Sequence, residues 1–185
     1  MEGRSALARM TLLDCRHGRT EVLLDDHVLP QEPIVDYMTR FSGIVPGDLD
    51  PLLSKRHLVT MRTAYCKLRL LVDRGCIFVG HGLETDFHVC NLYVPPSQII
   101  DTLEIYSLPK ARKIGLRFLV NYFLGKDMQV DTHDSIEDAK AAFDLYVKAL
   151  EIKDSGEFDR QINEVYEFGR KVDWKLGINP GRSFS

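Results

Sequence analysis

The sequence has 185 residues, of which 44% are hydrophobic and 28% charged, and its formal net charge is −3 at pH 7. These values are typical of one folded globular domain and exclude a generally basic nucleic-acid coat protein, but they permit an enzyme whose metal-binding carboxylates act on nucleic acid. The four cysteines form no C-x-x-C pair and no apolar run reaches a membrane-spanning length, so we expect a reduced intracellular protein that is not membrane-bound.

The apolar pattern predicts both strands and helices. In chain order these are strand Ser5–Asp14, strand Glu21–Leu29, helix Ile34–Phe41, helix Leu58–Val72, strand Cys76–Val79, helix Asp86–Leu92, strand Gln98–Ile105, and helices Ile114–Leu124, Ser135–Ile152 and Glu157–Val172. The residues Arg16–Arg19 fit a hairpin turn, and the continuous apolar run Cys76–Val79 is typical of a strand buried on both faces. Strand–helix–strand connections imply a parallel portion of sheet joined to an antiparallel hairpin, which is a mixed α/β fold.

The segment THDSIEDAKAAF contains the start of a long helix. Asp134 fits the N-cap and Glu137 the third helical position, an acidic variant of the capping box. His133 and Asp138 then occupy the two positions that a hydrophobic staple would join, so an imidazole and a carboxylate are brought near each other. Polar groups in such a place need a partner or a function, and the spacing alone leaves both interpretations open.

The segment FVGHGLETDFHVCNL places Asp86 just after a predicted strand and two glycines. Ligands of α/β sheets collect beyond the carboxyl ends of the strands, which favours a functional role for this acid. On local grounds a structural role, as a first-turn acid that complements the helix dipole, is slightly favoured. If Asp86 and Asp138 converge, their carboxylates suit a divalent metal.

The segment LPKARKIGLRF is the densest basic patch of the sequence. Its cations are Lys110, Arg112, Lys113 and Arg117. A solvated entrance to the following helix is the default interpretation. Contact with nucleic-acid phosphates is the functional alternative, because cations there release counterions and raise affinity.

Taken together, these segments resemble the exonuclease domain of the catalytic subunit of the poly(A)-nuclease deadenylation complex, in the DEDDh branch of the ribonuclease H-like superfamily. GHGLETDF followed by THDSIEDA is specific to this family and its close relatives, and YEFGRKVDWK points to the deadenylase. The stretches that carry the resemblance are Val35–Asp50, Lys67–Phe87, Ile114–Leu124, Thr132–Ala139 and Tyr166–Lys175.

The resemblance implies a ribonuclease H-like mixed sheet flanked by helices, with an exonuclease domain over residues 1–176 and a flexible tail over 177–185. It implies removal of messenger RNA poly(A) tails from the 3′ end, release of 5′-AMP, and catalysis by two divalent metals, typically Mg²⁺. By motif, Asp86 and Asp138 would be metal ligands, His133 the general base, and the basic patch an RNA contact. A pseudokinase regulatory subunit would be the protein partner, and the protein would be cytoplasmic, with P-body association, or nuclear.

One departure from the family is plain, because no Asp-x-Glu occurs anywhere in the chain. In the family this pair lies on the first, central strand and supplies two further metal-binding carboxylates. We therefore expect an exonuclease domain that lacks this strand at its N-terminal side and is inactive or nearly so alone. A fragment and a degenerate paralogue both fit, although intact His133, Asp86 and Asp138 favour a fragment.

Two other functions stay open at this point. One is a non-catalytic module of the same fold that binds RNA or a partner protein. The other is a DEDDh exonuclease that acts on DNA or small RNA, against which YEFGRKVDWK argues.

Overall fold

The computed structural model describes residues 6–128 and 134–175. These residues form a mixed α/β structure, as the sequence predicts. The strands are β1 (Arg9–Asp14), β2 (Glu21–Val28), β3 (Leu58–Val59), β4 (Phe78–Gly80) and β5 (Ile99–Asp101). The helices are α1 (Thr39–Ser42), α2 (Met61–Asp73), α3 (Leu83–Val89), α4 (Thr102–Ile105), α5 (Leu116–Leu119), which continues as one π-helical turn over Val120–Leu124, α6 (Ser135–Asp154) and α7 (Phe158–Lys171).

The strands form two separate sheets within the described residues, one of order β1–β2–β3 and one of β4 with β5. The predicted hairpin is confirmed, since β1 and β2 are antiparallel and Thr11 lies opposite Asp25. A parallel portion also exists, because β3 runs parallel to β2.

The described residues divide into two compact units, each with its own apolar core. The first unit comprises residues 6–78, 83–100 and 134–140, and the second comprises 79–82, 101–128 and 141–175. No helix within these ranges is long and apolar enough to cross a membrane. The predicted tail, 177–185, lies outside the described residues.

The core of the first unit forms on one face of the three-stranded sheet. Alternation along a strand sends successive side chains to opposite faces, so Met10 and Val28 share the face that packs against α2. The buried members of this core are Met10, Val28, Val59, Ala64, Leu68, Val72, Phe78, Cys90, Leu92 and Val94. The opposite face of β1 and β2 carries Arg9 and Thr11, which both donate hydrogen bonds to the Asp25 carboxylate on the same face.

Asp26 is a charged residue on the core face, where its exposure is only 3%. Its carboxylate accepts hydrogen bonds from Lys67 of α2 at 2.6 Å and from His57 at 2.7 Å. Burial alone would raise the pKa of Asp26, but these two partners outweigh it and hold the pKa below its usual value. The buried charge thus fixes α2 against β2.

The core of the second unit combines aliphatic side chains with several aromatic rings and lies among α4, α5, α6 and α7. The Tyr106 hydroxyl donates to the carbonyl of Leu145 at 2.8 Å, and the Tyr166 hydroxyl donates to the carbonyl of Arg112 at 2.7 Å. Both tyrosines are almost fully buried. Each buried hydroxyl has a partner, and each ties two segments of the unit together.

Two predicted helices in the first half of the chain begin later than the sequence indicates. Residues 34–38 are not helical: Asp36 accepts a hydrogen bond from the Met38 amide at 2.8 Å, and Met38 has a left-handed φ of 45°. This side-chain turn competes with the helix, which forms only over Thr39–Ser42. Leu58 and Val59 form β3 rather than the start of α2, because the Thr60 hydroxyl caps α2 through the Thr63 amide.

Two further corrections concern the following strands. Ile77 is 60% exposed, so this run is not buried on both faces, and the strand begins at Phe78. Thr102–Ile105 is the helix α4 rather than the continuation of β5. The Asp101 side chain accepts from the Leu103 amide at 2.9 Å, which caps the helix and ends the strand.

Candidate active site

Asp86 lies in α3, a helix that packs its apolar side against the core of the first unit. Leu83 and Phe87, four residues apart on one side of the helix, pack against the core, and the Phe87 ring meets Phe78 edge-on at 5.6 Å. The next turn is closed by the Cys90 amide, which donates to the Asp86 carbonyl at 3.1 Å. Asp86 itself is exposed, so this packing presents its carboxylate at the surface of the unit.

The turn before α3 is held by a hydrogen-bonded group within the second unit. The buried Thr102 hydroxyl donates to the Gly80 carbonyl at 2.8 Å, and the Asp101 carboxylate accepts from the Gly82 amide at 2.8 Å. The His81 Nδ1 lies 3.0 Å from the same Thr102 hydroxyl, whose only proton is directed at Gly80, so Nδ1 is the donor there. Gly82 has a φ of 83°, a conformation that favours glycine.

Asp138 lies in the first turn of α6, where the predicted N-cap at Asp134 is confirmed. The Asp134 carboxylate accepts from the Ile136 amide at 3.1 Å, which makes Asp134 the N-cap. The Asp134 carbonyl accepts from the Asp138 amide at 2.9 Å, the first backbone bond of the helix. Asp138 is half-buried, as expected for the edge of a core.

His133, the predicted general base, lies outside the described residues, as does Thr132. Its role stays a prediction from the sequence. The helix that contains Asp138 begins at Ser135, as the sequence predicts.

The carboxylates of the candidate site are the type of ligand that binds divalent cations, but their number in the described part of the chain is too small for a complete site. Asp86 and Asp138 both belong to the first unit and supply carboxylate oxygens, the hard ligands that Mg²⁺ prefers. Over residues 6–128 and 134–175, however, no three His, Cys, Asp or Glu side chains form a group able to hold a metal ion. Within the described residues the two carboxylates therefore form no complete ligand set, and their role as metal ligands stays a prediction.

The four cations of the basic patch belong to the second unit, and three of them have local partners. The Arg112 guanidinium lies over the Trp174 ring at 5.3 Å, and Lys113 pairs with Glu104 at 2.5 Å. Arg117 is half-buried and donates to the Met128 carbonyl at 3.3 Å. Lys110 is exposed and has a left-handed φ of 60°. These contacts show a structural role for part of the patch and leave its RNA-binding role a prediction.

Polar groups on β1 hold the start of α6 and were not predicted from the sequence. Arg9 donates to Asp134 at 3.1 Å, and the Thr11 hydroxyl lies 2.7 Å from that of Ser135. A signal existed, because Arg9 and Thr11 alternate with the apolar residues Met10 and Leu12. Which helix they would meet could not be inferred from strand alternation alone.

Comparison with protein families identifies the fold family. Residues 7–146 match the family described as Exonuclease, of the RNase T type. The human PAN2–PAN3 deadenylation complex catalytic subunit PAN2 is 50% identical over 164 residues, which cover 86% of this chain and 14% of that protein. The corresponding subunit of Schizosaccharomyces pombe is 45% identical over 153 residues, which cover 82% of this chain and 14% of that protein.

Solved structures agree with the sequence comparison. The Neurospora crassa Pan2 catalytic unit, with protease and nuclease domains, matches with a TM-score of 0.83 and 47% identity over 87% of this chain and 27% of that one. The Saccharomyces cerevisiae Pan2 pseudoubiquitin hydrolase–RNA exonuclease module in complex with A7 RNA matches with a TM-score of 0.90 and 43% identity, over 95% and 30%. The chain thus spans less than a third of either structure.

Proposed function

Because this chain belongs to the exonuclease family, we propose that it is the 3′–5′ exoribonuclease domain of a poly(A)-specific deadenylase. It would shorten messenger RNA poly(A) tails and release 5′-AMP by two-metal hydrolysis. The observation that carries the proposal is the 50% identity to the human catalytic subunit of a deadenylation complex. Support also comes from the TM-score of 0.90 to an exonuclease module whose structure contains A7 RNA.

In this proposal three residues carry the chemistry. Asp86 and Asp138 would hold divalent cations, two Mg²⁺ by family resemblance. When bound, such cations lower the pKa of water and stabilise charge on the attacked phosphate. His133 would accept the proton of the attacking water as general base. In the sequence, His133 directly precedes Asp134, the capping residue of α6.

The basic patch would contact the RNA backbone. All four cations, Lys110, Arg112, Lys113 and Arg117, are assigned to this role, since positive charge near phosphates raises affinity. Arg112, Lys113 and Arg117 must also maintain their contacts within the second unit. We therefore assign the largest purely electrostatic contribution to Lys110.

We also propose that the chain by itself has very low exonuclease activity. The chain contains no Asp-x-Glu, so two carboxylates would have to hold what four hold in the family. Purified chain incubated with 5′-labelled oligo(A) and Mg²⁺ should leave the oligomer largely intact over hours. Brisk shortening would contradict this, and an Asp138→Ala sample prepared in parallel would identify a contaminating nuclease by shortening the oligomer equally fast.

Substrate class is tested by competition. Unlabelled oligo(A) should displace a labelled A7 oligomer from the chain at lower concentration than oligo(U) or oligo(C) does. Equal displacement by all homopolymers would contradict the deadenylase assignment and favour a related exonuclease with another substrate.

A second candidate is a non-catalytic module that binds RNA or a partner protein. The lack of a three-residue metal group among residues 6–128 and 134–175 favours it. Extending the reading frame upstream discriminates the two, because a strand carrying Asp-x-Glu there would support the enzyme. If the upstream sequence contains no such strand, the module becomes the better assignment.

Partner and location follow from the same proposal. We propose binding to the 3′ end of poly(A) RNA and to the pseudokinase regulatory subunit of the complex, in the cytoplasm with association to P-bodies, or in the nucleus. Co-purification with that subunit and imaging of the tagged protein test these two points. A chain that neither co-purifies nor reaches these compartments would contradict them.

A further inference from the structure

The turn after α7 folds back onto the helix through Trp174, the single tryptophan of the chain. The Trp174 amide donates to the Gly169 carbonyl at 2.8 Å, and Asp173 and Trp174 have left-handed φ values of 51° and 57°. Two consecutive left-handed residues other than glycine are unfavourable by themselves. Packing of the indole therefore has to hold this turn in place.

Gly169 creates the space that the indole occupies. A Cβ atom at residue 169 would overlap Cζ3, Cε3 and Cη2 of the Trp174 ring, so no side chain fits there while the ring stays. The ring centres of Phe118 and Tyr166 lie 5.2 and 5.7 Å from that of Trp174. The indole thus has a defined place against α5 and α7 that does not depend on a cation.

Arg112 lies against this ring, although it is an exposed residue. Its guanidinium carbon is 5.3 Å from the centre of the Trp174 ring, within the range of a cation–π contact. The backbone of Arg112 is held as well, because its carbonyl accepts a hydrogen bond from the Tyr166 hydroxyl at 2.7 Å. Main chain and side chain of one arginine are therefore both anchored to the C-terminal end of α7 and the turn that follows.

The contact that holds Arg112 differs from the one that holds its neighbour. Lys113 pairs with Glu104, a carboxylate that offsets its positive charge toward any other anion. An aromatic ring carries no net charge, so the Arg112 guanidinium keeps its own in full. The N–H groups along the edge of a stacked guanidinium also stay able to donate to a phosphate.

We propose that Trp174 is a positioning residue that holds Arg112 ready to bind the phosphate backbone of single-stranded RNA. This role rests on the proposed function, which makes Arg112 an RNA contact. A long side chain loses rotamer freedom when it binds, and holding it beforehand removes part of that cost. The planar guanidinium then offers paired hydrogen bonds to one phosphate.

The test is a double-variant cycle on A7 RNA binding by the whole chain, measured by fluorescence anisotropy of the labelled oligomer. Arg112→Met should weaken binding about 10-fold and reduce the dependence of log affinity on log salt concentration by about 1. Trp174→Leu should weaken binding roughly 5-fold, the cost of ordering one long side chain. Its salt dependence should stay native, because the cation is still present. The double variant Arg112→Met/Trp174→Leu should bind no more weakly than Arg112→Met alone.

Gly169→Ala disturbs the same contact without removing either partner. The added methyl group should displace the indole, so A7 affinity should fall about as far as in Trp174→Leu. Because the chain has one tryptophan, its fluorescence reports this displacement directly. Greater contact of the indole with water should shift the emission to longer wavelength.

The matched control is Lys153→Met. Lys153 is also an exposed cation of the second unit that lies over a ring, 4.8 Å from the centre of Phe158, but it is outside the basic patch. Its loss should leave both the A7 affinity and the salt dependence unchanged. Equal losses in Lys153→Met and Arg112→Met would indicate a general effect of charge and would overturn the positioning role.

The remaining outcomes separate the positioning role from the function on which it rests. If the native chain does not bind A7, or if Arg112→Met binds it as tightly, the proposed RNA contact is wrong and the role of Trp174 is overturned with it. If Arg112→Met weakens binding but Trp174→Leu does not, only the positioning role is overturned. Losses that add in the double variant would also overturn it, because Trp174 would then act independently of Arg112. Gly169→Ala decides in the same way if Trp174→Leu does not fold.

Discussion

The two compact units differ in what they bury. The first packs aliphatic and sulfur-containing side chains against a sheet and encloses Asp26 with its basic partners. The second surrounds α6 and α7 with aromatic rings, among them Tyr106, Phe118 and Trp174, whose neighbours lie 4.9–6.2 Å away. The partly buried ion pairs of Arg9 with Asp25 and of Lys67 with Asp26 lie in the first unit, which also contains Asp86 and Asp138. Both units therefore have an apolar core, and the buried carboxylate of Asp26 with its basic partners is a feature of the first.

The largest expected effect is on the core of the second unit. Leu145→Ala removes a fully buried side chain and should lower the free energy of unfolding by about 2–5 kcal/mol, measured by chemical denaturation. Leu150→Ala, on the same helix but exposed, is the matched control and should change it by less than about 1 kcal/mol. Equal losses for both would show that the second unit does not depend on this core.

In the first unit, removing a partner of the buried Asp26 carboxylate should lower the free energy of unfolding nearly as much. Lys67→Met leaves Asp26 with His57 as its remaining hydrogen-bond partner in the described side chains, and should lower the free energy of unfolding by about 2 kcal/mol. Arg69→Met, which breaks an exposed pair with Asp73 on the same helix, should cost about 0.5 kcal/mol or less.

The measurement for this pair is denaturation at neutral pH, together with the double variant Lys67→Met/Asp26→Leu. Removing both charges should recover part of the lost stability, because no buried carboxylate then lacks its cation. A double variant less stable than Lys67→Met would contradict the view that the buried charge is the source of the loss.

A smaller effect is expected from pH. Burial lowers the pKa of His27 below its ordinary value of about 6.5, and its Nδ1 has no hydrogen-bond partner in the described structure. The unfolded chain therefore binds a proton at higher pH than the folded one, so stability is complete above about pH 6.5 and falls as pH drops toward the lowered pKa. Denaturation between pH 7 and 5 should show this slope.

The control for the pH experiment is His27→Gln, which cannot be protonated and should have a flatter profile over the same range. Asp25 and Asp26 do not contribute there, since their pKa values are lowered and their effects fall below about pH 5. Identical slopes in the two proteins would exclude His27 as the cause.

The smallest effect on stability is expected at Lys110. Lys110→Met should leave the free energy of unfolding within about 0.5 kcal/mol of the native value, because the side chain is exposed. It should still weaken A7 binding and reduce the dependence of log affinity on log salt concentration by about 1. Arg112→Met should affect both properties, because Arg112 also stacks on Trp174. Unchanged salt dependence in Lys110→Met would remove this residue from the RNA contact.

The long, strongly patterned elements could be predicted from the sequence. The β1–β2 hairpin follows from its alternation and turn residues, and α6 and α7 follow from their helical spacing. Prediction failed where a single side chain redirected the backbone. Asp36 at the Met38 amide and Asp101 at the Leu103 amide each override the apolar pattern through one hydrogen bond.

The candidate site was predictable to the extent that its residues belong to local motifs. The capping role of Asp134 and the half-buried position of Asp138 follow from helix-start rules and are confirmed. The bonds from Arg9 to Asp134 and from Thr11 to Ser135 could not be predicted, because each joins residues more than a hundred positions apart. The convergence of Asp86 with Asp138 and the role of His133 stay predictions.

The most direct test is to supply the carboxylates that the family's first motif provides. A strand carrying an Asp-x-Glu pair is joined ahead of residue 6, and the rate of 5′-AMP release from oligo(A) is measured in Mg²⁺. Clear release is expected, and Asp138→Ala should abolish it. Release that is equally fast with Asp138→Ala, or no release from the well-folded completed protein, would contradict the assignment of a deadenylase site to this chain.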